Sequence, residues 1–339
     1  MQKINVIVLG STGSVGTQTL KVLRKHSKKF NLLGIACYSN EDLLNKQAKD
    51  FKIPRSQKVA TKTNPRALKK LIQNSKADII VNAISGAAGL EPSKQVLKTG
   101  KTLALANKES VILGGKDLMA LAKKFCAQIL PLDSEHHAVL RILQTKNLQA
   151  YSPKHVKKII LTCSGGPFFG YKKSQLKKVT PKEALKNPNW KMGNKILIES
   201  ATLLNKGFEL IEAHHLFNCP LKKLDAVIDR KSYVHAVVEF QPKEQIALAY
   251  KPDMKIVIED TLLDYFHKTN GTNFKNRRLK FISGRKLATY PFKKIDHLTF
   301  PAITKILKAH KQGKIKTFYK QSEKNITEFL NQKRGFTEI

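Results

Sequence analysis

The chain has 339 residues, enough for two or three buried cores, and its hydrophobic fraction of 41% is that of an ordinary globular protein. No apolar run approaches the roughly 20 residues that cross a bilayer. Met1 to Gly10 also lacks the long apolar core of a signal peptide, so the cytoplasm is the expected location and no membrane partner is expected. The net charge of +37 comes mostly from lysines spread along the whole chain, not from arginines interleaved with aromatics in one patch; this argues against a nucleic-acid surface and leaves an attraction for small anions.

In chain order, Ile4 to Leu9 is an apolar run of strand length that ends in a glycine turn, and a helical pattern follows with Leu20 and Leu23 on one side. Further strands are expected at Asn31 to Cys37, Asp78 to Ala83, Thr102 to Ala106 and Gln128 to Leu132, separated by helical segments. This is the rhythm of an α/β fold, a Rossmann-like doubly wound parallel sheet, and small or reactive residues follow each strand at the rim where such sheets bind ligands. Beyond residue 150 the strand patterns at 158–162, 224–228, 234–240 and 245–250 lack intervening helices apart from 195–217, which predicts an α+β domain. The reading therefore divides the chain into a nucleotide domain (1–132), a catalytic domain (133–265), a lysine-rich linker (266–299) and a short helical carboxy-terminal domain (300–339). Cys37, Cys126, Cys163 and Cys219 are scattered without Cys-x-x-Cys spacing, which speaks against disulfides or a structural zinc site.

Gly10-x-x-Gly13-x-x-Gly16 between strand and helix suits the close approach of a dinucleotide's phosphates. The second strand ends in Cys37-Tyr38-Ser39-Asn40 rather than in the acid an NAD ribose wants, so NADP(H) is expected, with Ser39 and Asn40 near its 2′-phosphate. Asp133-Ser134-Glu135 follows a strand; if strand geometry persists, both carboxylates face one side and suit Mg²⁺ or Mn²⁺. A third acid is available on a helical stretch in which Leu197, Ala201, Leu204, Phe208 and Ile211 form an apolar stripe and Ser200 is a plausible N-cap. There Asn205, Lys206 and Glu209 share another face, and spacing alone favours a solvated one. Cys163 to Phe168 is a second glycine turn able to face an anion, and Asn187 to Gly193, with Trp190 and Met192, reads either as a mobile lid or as a core anchor. His136 and His137, beside the acids, suit substrate or supporting contacts better than direct ligation.

Taken together these strings closely resemble 1-deoxy-D-xylulose 5-phosphate reductoisomerase of the non-mevalonate isoprenoid pathway. The matching segments are Gly10-Ser-Thr-Gly-Ser-Val-Gly16, Ala106-Asn-Lys-Glu-Ser110, Leu132-Asp-Ser-Glu-His136, Ser164-Gly-Gly-Pro-Phe168, Pro188-Asn-Trp-Lys-Met-Gly193 and Ser200-Ala-Thr through Asn205-Lys-Gly-Phe-Glu209. They keep the family's order over about residues 4 to 255. The resemblance implies that Asp133, Glu135 and Glu209 hold one Mg²⁺ or Mn²⁺, and that Ser164, Ser200, Asn205 and Lys206 hold a sugar phosphate. It puts Ser134 and Lys108 near the reacting carbons, and Thr12, Gly13, Ser14, Val15, Asn107, Glu109 and Gly193 against NADPH. It makes the Trp190 segment, with Asn187 and Met192, a lid over the substrate, counts His136 and His235 among the catalytic candidates, and implies a homodimer. The implied reaction is a metal-assisted rearrangement to a branched aldehyde phosphate, followed by hydride reduction to 2-C-methyl-D-erythritol 4-phosphate.

The chain departs from the family pattern in places. Asn187 replaces a histidine at the start of the lid, Asp229-Arg-Lys-Ser232 replaces His-Pro-Gln-Ser, and Ser322-Glu323 replaces Asn-Glu. The nucleotide domain is short around 52–76, and the carboxy-terminal domain is expected to be incomplete. These departures motivate an alternative, a degenerate homologue that binds NADPH with little turnover.

Overall fold

In the computed structural model, which describes residues 1–73, 76–186 and 193–339, helices and strands alternate from the start. The order is β1 (Ile4–Leu9), α1 (Ser14–Lys25), β2 (Phe30–Cys37), α2 (Glu41–Asp50), β3 (Lys58–Ala60), α3 (Pro65–Gln73), β4 (Ile79–Asn82), α4 (Leu90–Lys98), β5 (Thr102–Leu105), α5 (Lys108–Lys124), β6 (Ile129–Pro131) and α6 (Ser134–Gln144). All six strands pair in parallel in the order β3-β2-β1-β4-β5-β6. A parallel sheet covered on both faces needs strands that are apolar throughout. β4 and β5 are buried at every position, and α1 turns Leu20, Val22 and Leu23 inward while Lys21 and Arg24 stay exposed. The strand order reverses between β1 and β4, and that reversal opens a crevice at their carboxyl ends.

The second half contains β7 (Val156–Cys163), α7 (Lys173–Leu176), α8 (Pro181–Ala184), α9 (Asn194–Thr202), α10 (Leu204–Leu216), β8 (Leu224–Ile228), β9 (Val234–Phe240), β10 (Gln245–Ala249), α11 (Met254–Thr269), β11 (Lys280–Ser283), α12 (Gly284–Ala288), α13 (Ala302–Lys311) and α14 (Ile315–Leu330). Its sheet runs β11-β10-β9-β7-β8, with β7 and β8 parallel and the other pairs antiparallel.

The chain forms two compact units, and the cuts differ from the four-part division expected from sequence. The first unit is Met1–His137 with Asp253–Arg278, and the second is Ala138–Pro252 with Leu279–Ile339. α11 belongs to the first unit because it packs on α1 and β2: Phe266 meets Phe30 edge-on at 5.9 Å, and Glu259 pairs with Lys25 and His26. The expected linker at 266–299 is instead structured. It completes α11, adds β11 to the edge of the second sheet and forms α12, whose Leu287 is buried with Val237 and Ala247. α13 and α14 are likewise part of the second unit and do not form a separate domain.

The helical stretch expected at 195–217 is two helices. Leu203 sits between them with φ +63°, in the left-handed region. Thr202 accounts for the break: its hydroxyl donates to the Ile198 carbonyl at 2.9 Å and accepts the Leu204 N–H at 3.4 Å, so it competes with the helical ladder. Ser200 therefore lies inside α9 and caps neither helix; the N-cap positions are Gly193 and Leu203.

Candidate active site

In the first unit the glycine turn after β1 is shaped by close backbone approach. Gly10 has φ +79°, and a Cβ there would lie 2.5 Å from the Ala83 carbonyl oxygen. A Cβ on Gly16 would lie 2.1 Å from the Gly10 oxygen. Gly13 is the N-cap of α1 and no side chain caps that end. With Gly13 and Ser14 exposed and Thr12 and Val15 half-buried, the helix terminus can face an anion. The turn is braced from behind, where buried Ser11 donates to Gln47 Oε1 at 2.8 Å and Gln47 Nε2 donates back to the Ser11 carbonyl at 3.0 Å. At the end of β2, Ser39 and Asn40 are exposed, and Asn40 caps α2 by accepting the Leu43 N–H at 3.1 Å. No acid stands at the tip of β2, because Glu41 and Asp42 fall in the first turn of α2. These features fit a dinucleotide, and the polar exposed tip suits a 2′-phosphate.

The turn after β5 is held by a buried chain of polar groups. Asn82 Nδ2 donates to the Gly89 carbonyl at 2.9 Å and to Ser93 Oγ at 2.8 Å, and Ser93 donates to Ser110 Oγ at 3.0 Å. Asn107 caps α5 by accepting the Ser110 N–H at 2.9 Å, and its amide donates to Gly86 O at 2.8 Å and Glu109 Oε2 at 2.9 Å. Lys108, the first residue of α5, pairs with Asp133 at 2.7 Å. Strand geometry does not persist beyond β6. α6 begins at Ser134, so Glu135 stands in a first helical turn, where a negative charge is favoured, and the Ser134 hydroxyl donates to it. His136 is fully buried, and His137 bonds buried Asp260 at 2.8 Å, a supporting contact inside the first unit.

In the second unit β7 ends at the turn Cys163 to Phe168. Gly165 and Gly166 have φ +77° and +68°, and a Cβ on Gly166 would lie 2.9 Å from the Ser200 carbonyl oxygen, so this turn packs directly against α9. Ser164 Oγ accepts the Gly166 N–H at 3.2 Å. Sequence reading treated Arg230 only as a departure, yet its guanidinium donates to the carbonyls of Ser164 and, at 3.0 Å, Gly166. Asp229 accepts N–H groups from Lys231 (3.0 Å), Tyr233 (2.8 Å) and Val234 (2.8 Å) and the Tyr290 hydroxyl at 3.1 Å. Burial and the Asp229 carboxylate push the Tyr290 phenol upward, so it keeps its proton and donates. The altered 229–232 stretch thus braces the glycine turn.

The solvated face suggested by spacing around Asn205 is not found. Lys206 and Glu209 are 2% and 1% exposed and form an ion pair, while the Asn205 amide donates to the same carboxylate. A fully buried ion pair with a third hydrogen-bond partner marks a candidate functional position. Glu209 here and Asp133 with Glu135 in the first unit are all oxygen donors, the set that suits Mg²⁺ or Mn²⁺. His235 lies 2% exposed, stacked on Tyr250 at 3.8 Å with its Nε2 3.1 Å from the Tyr250 carbonyl. Lys195 of α9 reaches Tyr319 and Glu323 of α14, each at 2.8 Å, so the altered Ser322-Glu323 pair still ties the carboxy-terminal helix to this region. Gly193 is the N-cap of α9, whereas Asn187, Trp190 and Met192 lie outside the described residues.

Comparison with known proteins identifies the relatives of these motifs. The family model of 1-deoxy-D-xylulose 5-phosphate reductoisomerase matches residues 6–64 and 52–115, and that of its C-terminal domain matches 129–217. The reductoisomerase of Caldanaerobacter subterraneus is 39% identical over 98% of this chain and 89% of its own, and that of Halothermothrix orenii 36% over 99% and 89%. Among solved structures, the Zymomonas mobilis enzyme in complex with NADPH superposes with a TM-score of 0.83 at 29% identity, over 99% of this chain and 89% of that one. A reductoisomerase in complex with NADPH, fosmidomycin and magnesium gives 0.85 at 30%, over 99% and 86%.

Proposed function

We propose a function from the premise that this chain belongs to the 1-deoxy-D-xylulose 5-phosphate reductoisomerase family: it rearranges that sugar phosphate and reduces the product with NADPH to 2-C-methyl-D-erythritol 4-phosphate. The observation that carries this reading is the match to curated reductoisomerases along nearly the whole chain. The first unit takes NADPH at the Gly10–Gly16 turn, with Thr12, Gly13, Ser14 and Val15 at the pyrophosphate and Ser39 and Asn40 toward the 2′-phosphate. Asn107, Glu109 and Gly193 complete the cofactor's contacts. NADPH supplies the hydride. Asp133, Glu135 and Glu209 hold one Mg²⁺ or Mn²⁺, which supplies a Lewis acid for the substrate's ketone and neighbouring hydroxyl.

The remaining work belongs to the chain's own side chains. Ser164, Ser200, Asn205 and Lys206 bind the substrate phosphate, and the Arg230 brace holds the Ser164 turn in place for it. Lys108, 2.7 Å from Asp133, orients that carboxylate and presents an ammonium where oxygen charge grows during the rearrangement. Ser134 donates to Glu135 and orients it. His136 and His235, both buried, support these groups from within their own units. The lid that the resemblance implies for Asn187, Trp190 and Met192 falls on residues outside those described. No helix of the described residues is long and apolar enough to cross a membrane. The family resemblance supports, as part of this proposal, a homodimer acting in the cytoplasm.

The degenerate reading drew on Asn187 and on the altered 229–232 stretch; the bonds made by Arg230 and Asp229 give that stretch a bracing role, while Asn187 lies outside the described residues. The test is substrate-dependent NADPH oxidation with and without Mg²⁺ or Mn²⁺, in the native chain and in Glu209→Gln. Metal-dependent turnover that falls at least about 100-fold in the variant is expected, as when a transition-state stabilising group is lost. Turnover that ignores the metal refutes the mechanism, and NADPH binding with no product at saturating substrate refutes the activity.

A further inference from the structure

Three imidazoles converge where two helices of the second unit end. α10 and α13 lie close because Gly207 has no side chain: a Cβ there would be 2.5 Å from Ile306 Cδ1 and 3.3 Å from Ile303 Cα. Gly207 opposes Ile303 and Ile306, while His214 opposes His310 with ring centroids 5.4 Å apart. Residue numbers rise together along the contact, so the two helices run parallel and finish at the same end. His214 and His215 occupy the last turn of α10, and His310 the last turn of α13. One ring nitrogen from each lies within 4.8 Å of the others.

The chemistry of this cluster favours a cation. A backbone carbonyl can only accept, so the 2.7 Å contact of His214 Nδ1 with the Cys219 oxygen makes Nδ1 the N–H and Nε2 the basic nitrogen. A carbonyl behind the imidazole is the support that metal-ligating histidines use to fix their tautomer and orientation. Two helix carboxyl ends add partial negative charge at the same place. All three rings are half-buried, so solvent reaches them.

We propose that His214, His215 and His310 form a zinc site, separate from the carboxylates assigned to Mg²⁺ or Mn²⁺. Three imidazoles and a water make a tetrahedral shell, and ring nitrogens about 2.0–2.1 Å from the ion stand about 3.4 Å apart. The ring nitrogens, now within 4.8 Å of one another, would close to that value on binding. The ion staples α13 to α10, the helix that carries Asn205, Lys206 and Glu209, and so stiffens the phosphate-binding side of the second unit.

The test is equilibrium dialysis of the untagged, full-length protein against micromolar Zn²⁺ with millimolar Mg²⁺ present, followed by metal counting. One zinc per chain and a raised Tm are expected. His215→Gln and His310→Gln, checked as folded by circular dichroism, each weaken zinc binding at least about tenfold. Cobalt in place of zinc gives the visible absorption of a tetrahedral nitrogen site in the native chain, and that absorption is lost in both variants. Zinc affinity unchanged in the folded variants, or no zinc taken up by the native chain, overturns the proposal. Neither result depends on whether the reductoisomerase turns over.

Discussion

Replacing Gly16 by alanine tests the dinucleotide turn directly. The new Cβ would stand 2.1 Å from the Gly10 oxygen and 2.6 Å from Ser11 Cα, and both are backbone atoms that cannot swing aside. The turn must open by about 1 Å to restore van der Waals separation, and overpacking of this kind costs about 1–3 kcal/mol. Alanine's better helix propensity offsets at most about 1 kcal/mol. Even with the full offset, a cost toward the upper end, as contact with fixed backbone implies, leaves a net loss of up to about 2 kcal/mol and lowers Tm by up to about 8 °C in a unit of this size. Gly13→Ala is the control for stability, since its Cβ meets the Gly10 oxygen at 3.4 Å and its φ is −76°. It sacrifices only an N-cap preference, below about 1 kcal/mol. Opening the turn also withdraws backbone N–H groups from the pyrophosphate, so NADPH affinity should fall at least about tenfold in Gly16→Ala. Differential scanning fluorimetry and an NADPH fluorescence titration on the same preparations give both numbers. A Gly16→Ala protein with native Tm and native NADPH affinity refutes the reasoning.

Arg230→Ala frees the carbonyls of Ser164 and Gly166, and hydrogen bonds to a charged donor contribute about 1.5–3 kcal/mol. The KM for the sugar phosphate should rise about tenfold or more with the KM for NADPH unchanged; an equal rise in both contradicts the assignment. For Glu259, burial alone would raise the carboxyl, but bonds from Lys25, His26 and Arg278 outweigh it and bring it down to about 2. Its folded value lies below the unfolded one of about 4.3. The cluster therefore stabilises fully above that value and loses its contribution as the pH falls toward 2. Glu259→Gln should flatten the decline of Tm below pH 5, and an unaltered slope refutes this. Iodoacetamide should label exposed Cys126 rapidly and leave Cys219 intact in the folded chain; equal rates contradict the burial assigned to Cys219.

The first sheet was legible because a parallel strand buried on both faces is a continuous apolar run, and β1, β2, β4 and β5 advertise themselves that way. The break at Leu203 was not, since leucine carries no mark of a left-handed residue and the apolar spacing of Leu197, Ala201, Leu204 and Phe208 passes through it undisturbed. Spacing also gives the phase of a helix without its neighbours. That is why Asn205, Lys206 and Glu209 read as a wet face until α10 was seen to be buried nearly all round. Arg230 gave no signal by itself, because its partners are carbonyls 64 and 66 residues away and carbonyls leave no trace in a sequence. α11 was assigned by adjacency to the second domain, although its partners Lys25 and His26 lie more than 230 residues earlier.

The return of α11 also sets a condition on synthesis and engineering. The sheet that begins at Ile4 gains its last packing element only when Asp253–Arg278 has been made, so a ribosome must deliver most of the polypeptide before the nascent amino-terminal half can close. A fragment cut after His137 would leave Phe30 without Phe266 and Lys25 without Glu259. Chimeras that exchange the nucleotide half between relatives must carry both pieces together.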